Sequence, residues 1–359
     1  MNLNYIHVVR RALVIFLLGF MCHAAATGQP ASTNQISFVS LGDWGCAGID
    51  SARKESEQTV ADAFANVSAN LSANFILNTG DNFYYYGVKS IDDPLWQTNF
   101  EKVYHQPSLM KKWYSVLGNH DYGFNPEAQV QYTSPNNNRW VLPSRYYSQR
   151  VQLGNTKSYA TLIMLDTNPC IANYRDDDPA KWDPCGSDIK GPTDCKFHQN
   201  VVRENCTAQY VWLKKLIPRI PKDDWIIAVG HHPLDEIDVL DFVSLLQGAK
   251  IHLYLNGHTH AMSVYTVNDL PCVTSGGGCM VNLEKEEEPT TKKKSTLRKY
   301  VVGNLENYHV KHITHNYTEV WNKKSAGFTT HTFSMDMKEL TTTVMDGFGQ
   351  KMYEFSVKK

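Results

Sequence analysis

Residues 251–260 read "IHLYLNGHTH": an apolar, β-favouring run, a glycine, then two histidines separated by one residue. The same punctuation occurs four more times, in "ISFVSLGDWG" (36–45), "FILNTGDN" (75–82), "WYSVLGNHD" (113–121) and "WIIAVGHHP" (225–233). Each predicts a strand that runs into a short loop bearing polar side chains. "YATLIMLDTN" (159–168) predicts a further strand. Helices are expected at 54–71, where Ala61, Phe64, Ala65 and Leu71 are among the apolar positions, at 94–104 behind Pro94, and at 207–217. The Thr/Val-rich C-terminal third, with "SVYTVND", "GFTTHTFSMD" and "LTTTVMDG", predicts a meander. Strands alternating with helices imply an α/β core, and the extra strands imply a second sheet packed on the first. The expected fold is therefore two packed mixed β-sheets flanked by helices. No Pro- or Ser-rich linker divides the chain, so one domain is expected over 27–359.

The N-terminus stands apart. Arg10 and Arg11 precede "ALVIFLLGFMC", and "HAAATG" follows, which is the pattern of a secretory signal peptide cleaved after Ala26. The apolar run is short for a membrane span. No membrane anchor is expected, and the product is placed outside the cell or in the lumen of a lysosome or vacuole. Four sequons, at Asn66, Asn70, Asn205 and Asn316, then mark expected glycosylated surface. Of eight cysteines, Cys22 leaves with the signal. Two bridges are expected among Cys170, Cys185, Cys195 and Cys206, in a polar insertion over 170–206. Cys272 and Cys279 are the natural local pair, which leaves Cys46 as the odd thiol. The spacings lack the CxxC of a zinc knuckle. A net charge of -1 gives no basic face for nucleic acid. The run "EKEEEPTTKKKSTLRK" (284–299) is expected to be a solvated loop.

The five glycine-marked loops carry the chemistry. In open α/β sheets, sites form where the carboxyl ends of strands meet. Asp43 and Asp81 are hard oxygen donors, Asn119 offers an amide oxygen, and His231, His258 and His260 offer imidazole nitrogen. This O/N set suits Fe, Zn or Mn. It is too large for one ion, whereas two ions about 3.5–4 Å apart, bridged by a carboxylate, use all of it. Singly, Asp43 reads as a helix cap and His231 as a core histidine; all five loops in this order are hard to explain that way.

The order DxG, GDxxY, GNHD, GHxP, GHxH resembles that of the binuclear metallophosphoesterases, and most closely the purple acid phosphatases of the small, tartrate-resistant type. The likeness runs from about Ile36 to the final strands, and it implies an αββα sandwich. By motif position it implies that Asp43, Asp81, Tyr84 and His260 hold Fe(III). Asp81 bridges, and Asn119, His231 and His258 hold Fe(II), Zn(II) or Mn(II). Gly45 stands where the generic pattern has a histidine, and the Tyr84 phenolate replaces that donor. The implied reaction is hydrolysis of a phosphate monoester at acidic pH by water acidified on two metal ions. His120 is the implied donor to the leaving group, with Asp121 orienting it or a metal-bound group. The resembled enzymes carry a second outer-sphere histidine after GHxP; here none lies between His232 and His252. His232, Asp235, Glu236 and Asp238 are the candidate substitutes. Tyr85 and Tyr86 are expected as pocket wall or packing, and His309, His312 and His315 as an exposed face. A monomer is expected. The rival readings are a phosphodiesterase or nuclease of the same superfamily, a secreted interaction protein on this scaffold, and iron-centred redox activity as a side role.

Overall fold

A computed structural model describes residues 35–132, 139–176, 181–186, 191–281, 294–303 and 310–359. The body from Gln35 to Lys359 contains two mixed sheets. In the first, β1 (Ser37–Leu41), β2 (Ile76–Asn78), β3 (Trp113–Ser115) and β4 (Trp140–Val141) run parallel. Beyond β1 lie β13 (Gly327–Phe333), β14 (Glu339–Asp346) and β15 (Lys351–Lys358), all antiparallel. In the second, β6 (Tyr159–Met164), β7 (Trp225–Val229), β8 (Leu253–Asn256) and β10 (Leu270–Ser275) are parallel neighbours. Antiparallel β5 (Tyr147–Gln152) closes one side, and β9 (Met262–Val267), β12 (Val310–Lys323) and β11 (Lys294–Gly303) extend the other.

The parallel strands are buried almost end to end, as β1 and β8 show. That is what a strand covered on both faces requires. Between the sheets, Trp225 of β7 meets Phe333 of β13 at 5.4 Å, and Ser275 Oγ donates to the Ser40 carbonyl at 3.0 Å. Helix α1 (Ser51–Asn70) lies against the first sheet, with Phe64 edge-on to Phe328 and Trp113. It starts three residues before the expected point because Asp50 caps it, accepting from the Arg53 N–H at 2.8 Å. Between Pro94 and Tyr104 the helical part shrinks to Trp96–Glu101, where the Lys102 N–H donates to Gln97 O. Its apolar side chains join a buried aromatic cluster in which Trp44 touches Phe83, Phe100, Tyr104, Trp113 and Trp140. Trp44 and Phe83 each lie within two residues of a loop aspartate, so this cluster anchors both loops.

Some local expectations change in three dimensions. Two bridges within 170–206 are present, Cys170–Cys206 and Cys185–Cys195. Cys272 and Cys279 do not pair: Cys279 bonds Cys46, 233 residues away, and Cys272 is the buried free thiol. Cys272 is locked in β10 between Tyr254 of β8 and Tyr265 of β9. The glycine loop after β10 crosses to the first sheet, where the Gly278 N–H donates to Gly42 O at 3.0 Å, and so delivers Cys279 to Cys46. His315 is buried rather than exposed, held between Asn268 and Asp241; His309 lies outside the described residues. Within 284–299 the basic end is strand, since β11 begins at Lys294, while 284–293 lie outside the described residues. All four sequon asparagines are exposed.

Candidate metal centre

β1, β2 and β3 end at Leu41, Asn78 and Ser115, and β7 and β8 end at Val229 and Asn256. The loops leaving these five carboxyl ends bring all seven expected ligands together. Four of the seven, Asp43, Asp81, His258 and His260, have φ between 47° and 75°. Left-handed backbone in residues other than glycine is a strained choice that persists where surroundings enforce it, commonly at functional sites. Glycine permits the close approach. A Cβ on Gly118 would stand 2.1 Å from Asp81 Oδ1, and one on Gly45 would stand 1.7 Å from Asn82 O. At Gly45, the position where the generic pattern carries a histidine, the loop holding Tyr84 fills that space: the Tyr84 N–H donates to Gly45 O at 2.8 Å.

The donor atoms fall into two overlapping sets. Tyr84 Oη lies 3.0 Å from Asp81 Oδ2, 3.2 Å from Asp43 Oδ1 and 3.0 Å from His260 Nε2. Asn119 Oδ1 lies 2.8 Å from His231 Nε2 and 3.0 Å from His258 Nδ1, and His231 Nε2 is 3.4 Å from Asp81 Oδ1. Asp81 thus turns one oxygen to each set. His231 Nδ1 must donate to the Thr79 carbonyl, 2.9 Å away, because a carbonyl only accepts. Its Nε2 lone pair is then aimed at oxygens.

Converging lone pairs demand positive charge. Burial alone would lower His231, but Asp81, Asp43 and the Thr79 carbonyl lift it to about 9. Burial, with Asp43 and Asp81 adding to it, pushes the Tyr84 phenol well above its ordinary value. A phenolate there needs a cation beside it. The donor set therefore fits two cations with oxygen and imidazole ligands.

Around the donor sets, each neighbouring side chain has partners of its own. The Asp121 carboxylate is fully buried. It accepts from the backbone N–H groups of Asn82, Phe83 and Gly118 and from Gln129, which ties the Asp81 loop to the Asn119 loop. His120 donates through Nδ1 to the Tyr85 carbonyl at 2.8 Å, so its Nε2 is the nitrogen left to work. His232 is fully buried; Nδ1 pairs with Thr167 Oγ1 at 2.7 Å and Nε2 with the Tyr174 hydroxyl at 3.0 Å. Glu236 Oε2 is 3.5 Å from His258 Nε2, and Asp238 accepts from the Ala172 N–H. Tyr86 packs on Phe124, and Tyr85 is exposed. Sequence reasoning passed over Tyr174 and Trp182, which reach this region from the cysteine-rich insertion; no motif marks them.

The calcineurin-like phosphoesterase family profile matches residues 36–262. Tartrate-resistant acid phosphatase type 5 of Sus scrofa is 32% identical over 72% of this chain and 74% of its own. Purple acid phosphatase 4 of Arabidopsis thaliana is 29% identical over 77% of this chain and 80% of its own. Among solved structures, GAP50, the anchor in the inner membrane complex of Plasmodium, shares the fold with a TM-score of 0.63 at 22% identity, covering 90% of this chain and 89% of that one. The chain belongs to the calcineurin-like phosphoesterase family, in its purple acid phosphatase, tartrate-resistant branch.

Proposed function

We propose that this chain is a metal-dependent acid phosphatase that hydrolyses phosphate monoesters. The observation that carries the reading is the pair of ligand sets sharing Asp81. Asp43, Asp81, Tyr84 and His260 would hold Fe(III). Asp81, Asn119, His231 and His258 would hold Fe(II), Zn(II) or Mn(II). When bound, two such cations supply positive charge for the phosphate and acidify water.

The chain's own residues do the rest. Thr79 fixes the His231 tautomer, so that Nε2 keeps its lone pair toward Asn119 and Asp81. The His120 N–H donates to Asp81 Oδ1 at 3.0 Å, which orients the shared carboxylate. The His120 ring, held at Nδ1 by the Tyr85 carbonyl, offers Nε2 to carry a proton to the departing alkoxide. Asp121 keeps the two loops in register through backbone N–H groups that do not titrate. Entry to the secretory route is proposed as well. Residues 1–26 carry the signal pattern, and three disulfides and four exposed sequon asparagines support it. No helix among the described residues is long and apolar enough to cross a membrane.

The test combines metal content, visible spectrum and hydrolysis of p-nitrophenyl phosphate at acidic and neutral pH. Two metals, a tyrosinate-to-iron band and monoesterase activity are expected, and Tyr84→Phe should abolish the band. Protein with no stoichiometric metal would refute the reading. Metal without a visible band, together with activity on diesters alone, would favour the phosphodiesterase.

A further inference from the structure

A cavity of about 510 Å³ opens beside the metal centre, with His258 in its wall. Two aromatic rings from the cysteine-rich insertion line it, Tyr174 and Trp182, 5.5 Å apart between centroids. Trp182 is 38% exposed yet not loose: it rests against Phe197 at 5.3 Å and against His120 at 5.4 Å. Tyr174 is fixed by its hydroxyl on His232 Nε2, and His232 is fixed in turn by Thr167. The aromatic wall is thus joined to His232 through Tyr174 and to His120 through Trp182. Glu236 and Asp238 also line the cavity. Glu236 is held toward His258 at 3.5 Å, and Asp238 is pinned by the Ala172 N–H at 2.7 Å.

These features bear on what can leave. The phosphate is drawn to the cations, so the cavity beside His258 and His120 receives the alcohol part of the ester. Trp182 offers a flat, partly exposed ring backed by the largely buried Tyr174, and such a ring stacks on another ring better than on a glycerol or a serine side chain. Carboxylates in the same cavity repel further phosphates and attract a cation. We infer that the cavity is a leaving-group subsite selecting aryl phosphomonoesters that carry positive charge, such as a phosphotyrosyl side chain next to arginine or lysine, and disfavouring nucleoside polyphosphates. His232 then acts as a positioning residue: it holds the Tyr174 wall rather than delivering a proton to the substrate.

The inference rests on the phosphatase reading, and the experiment separates the two. Four substrates are compared with the metal-loaded protein by kcat/KM: a phosphotyrosyl peptide with flanking arginines, the same peptide with glutamates, β-glycerophosphate and ATP. The arginine peptide is expected to exceed the glutamate peptide and ATP by about tenfold or more, a usual scale for one well-placed contact. Trp182→Ala should lower the ratio of aryl ester to glycerophosphate about tenfold, mainly through KM. Asp238→Asn, which keeps an oxygen for the Ala172 N–H, should narrow the gap between the two peptides. Equal kcat/KM for the two peptides, or a Trp182→Ala ratio matching the wild type, would overturn the inference while leaving the phosphatase intact. Failure to cleave any monoester would overturn both.

Discussion

Gly118→Ala adds one methyl group at the point where the loops after β2 and β3 touch. The new Cβ would stand 2.1 Å from Asp81 Oδ1 and 2.2 Å from Asp81 N. Ordinary contact begins at 3.4 Å, so about 1.3 Å of separation has to be found between the Asp81 loop and the Asn119 loop. Neither loop can give freely, because Asp121 ties the Gly118, Asn82 and Phe83 N–H groups to one carboxylate. The φ of Gly118 is not positive, so the penalty is steric and not conformational. Overpacking of this kind costs about 1–3 kcal/mol of stability. Its effect on the site is larger, since a misplacement of about 1 Å costs about 10²-fold in rate. The variant is therefore expected to fold, to melt several degrees lower, to bind fewer than two metals per chain and to lose about 10²-fold or more in kcat/KM on p-nitrophenyl phosphate. Gly248→Ala, at the end of the helix Phe242–Gly248, is the control, because nothing lies within 4 Å of its new Cβ. A Gly118→Ala protein with full metal content and activity within threefold of wild type would refute the claim that this contact sets the ligand geometry.

Two other expectations test the body of the fold. His331 is fully buried among Ser40, Thr329 and Thr342 and stacks on Phe38, and burial lowers its pKa to about 3 from an ordinary 6.5. The unfolded chain then binds the extra proton first, so stability is flat above pH 6.5 and falls as pH drops from 6.5 toward 3. The loss is about 1.4 kcal/mol per pH unit, up to about 5 kcal/mol in all. Denaturant melts of wild type and His331→Gln across that window should differ in slope, and identical slopes would refute the assignment. Peptide mapping of the protein denatured and alkylated without reduction should place the label on Cys272 and none on Cys46 or Cys279; label on Cys46 would overturn the pairing.

Much of the candidate centre was legible because each candidate donor is announced locally. A glycine after a β-run and a donor directly behind it are neighbours in sequence and remain neighbours in space. Asp43, Asp81, Asn119, His231 and the His258–His260 pair were readable for that reason, as were the parallel strands that present them. Tyr84 entered the candidate set only through the resemblance of its motif to the purple acid phosphatases, and the structure places its hydroxyl beside Asp43, Asp81 and His260. The hydrogen bonds of Asp121 were not legible, because its partners are the backbone N–H groups of Asn82, Phe83 and Gly118 and the Gln129 amide, which no side-chain pattern records.

What the amino-acid order determined by itself is the list of candidate donors, their division over five strand ends and the fold class that makes strand ends converge. The cysteine pairing, the burial of His315, the continuation of the basic run into β11, and the wall of Tyr174 and Trp182 were decided only by tertiary structure. The physical reason is common to all four. Each depends on which face a strand turns inward or on where a loop ends after crossing between sheets. Such outcomes follow from packing between segments tens to hundreds of residues apart, as the 233-residue span from Cys46 to Cys279 illustrates.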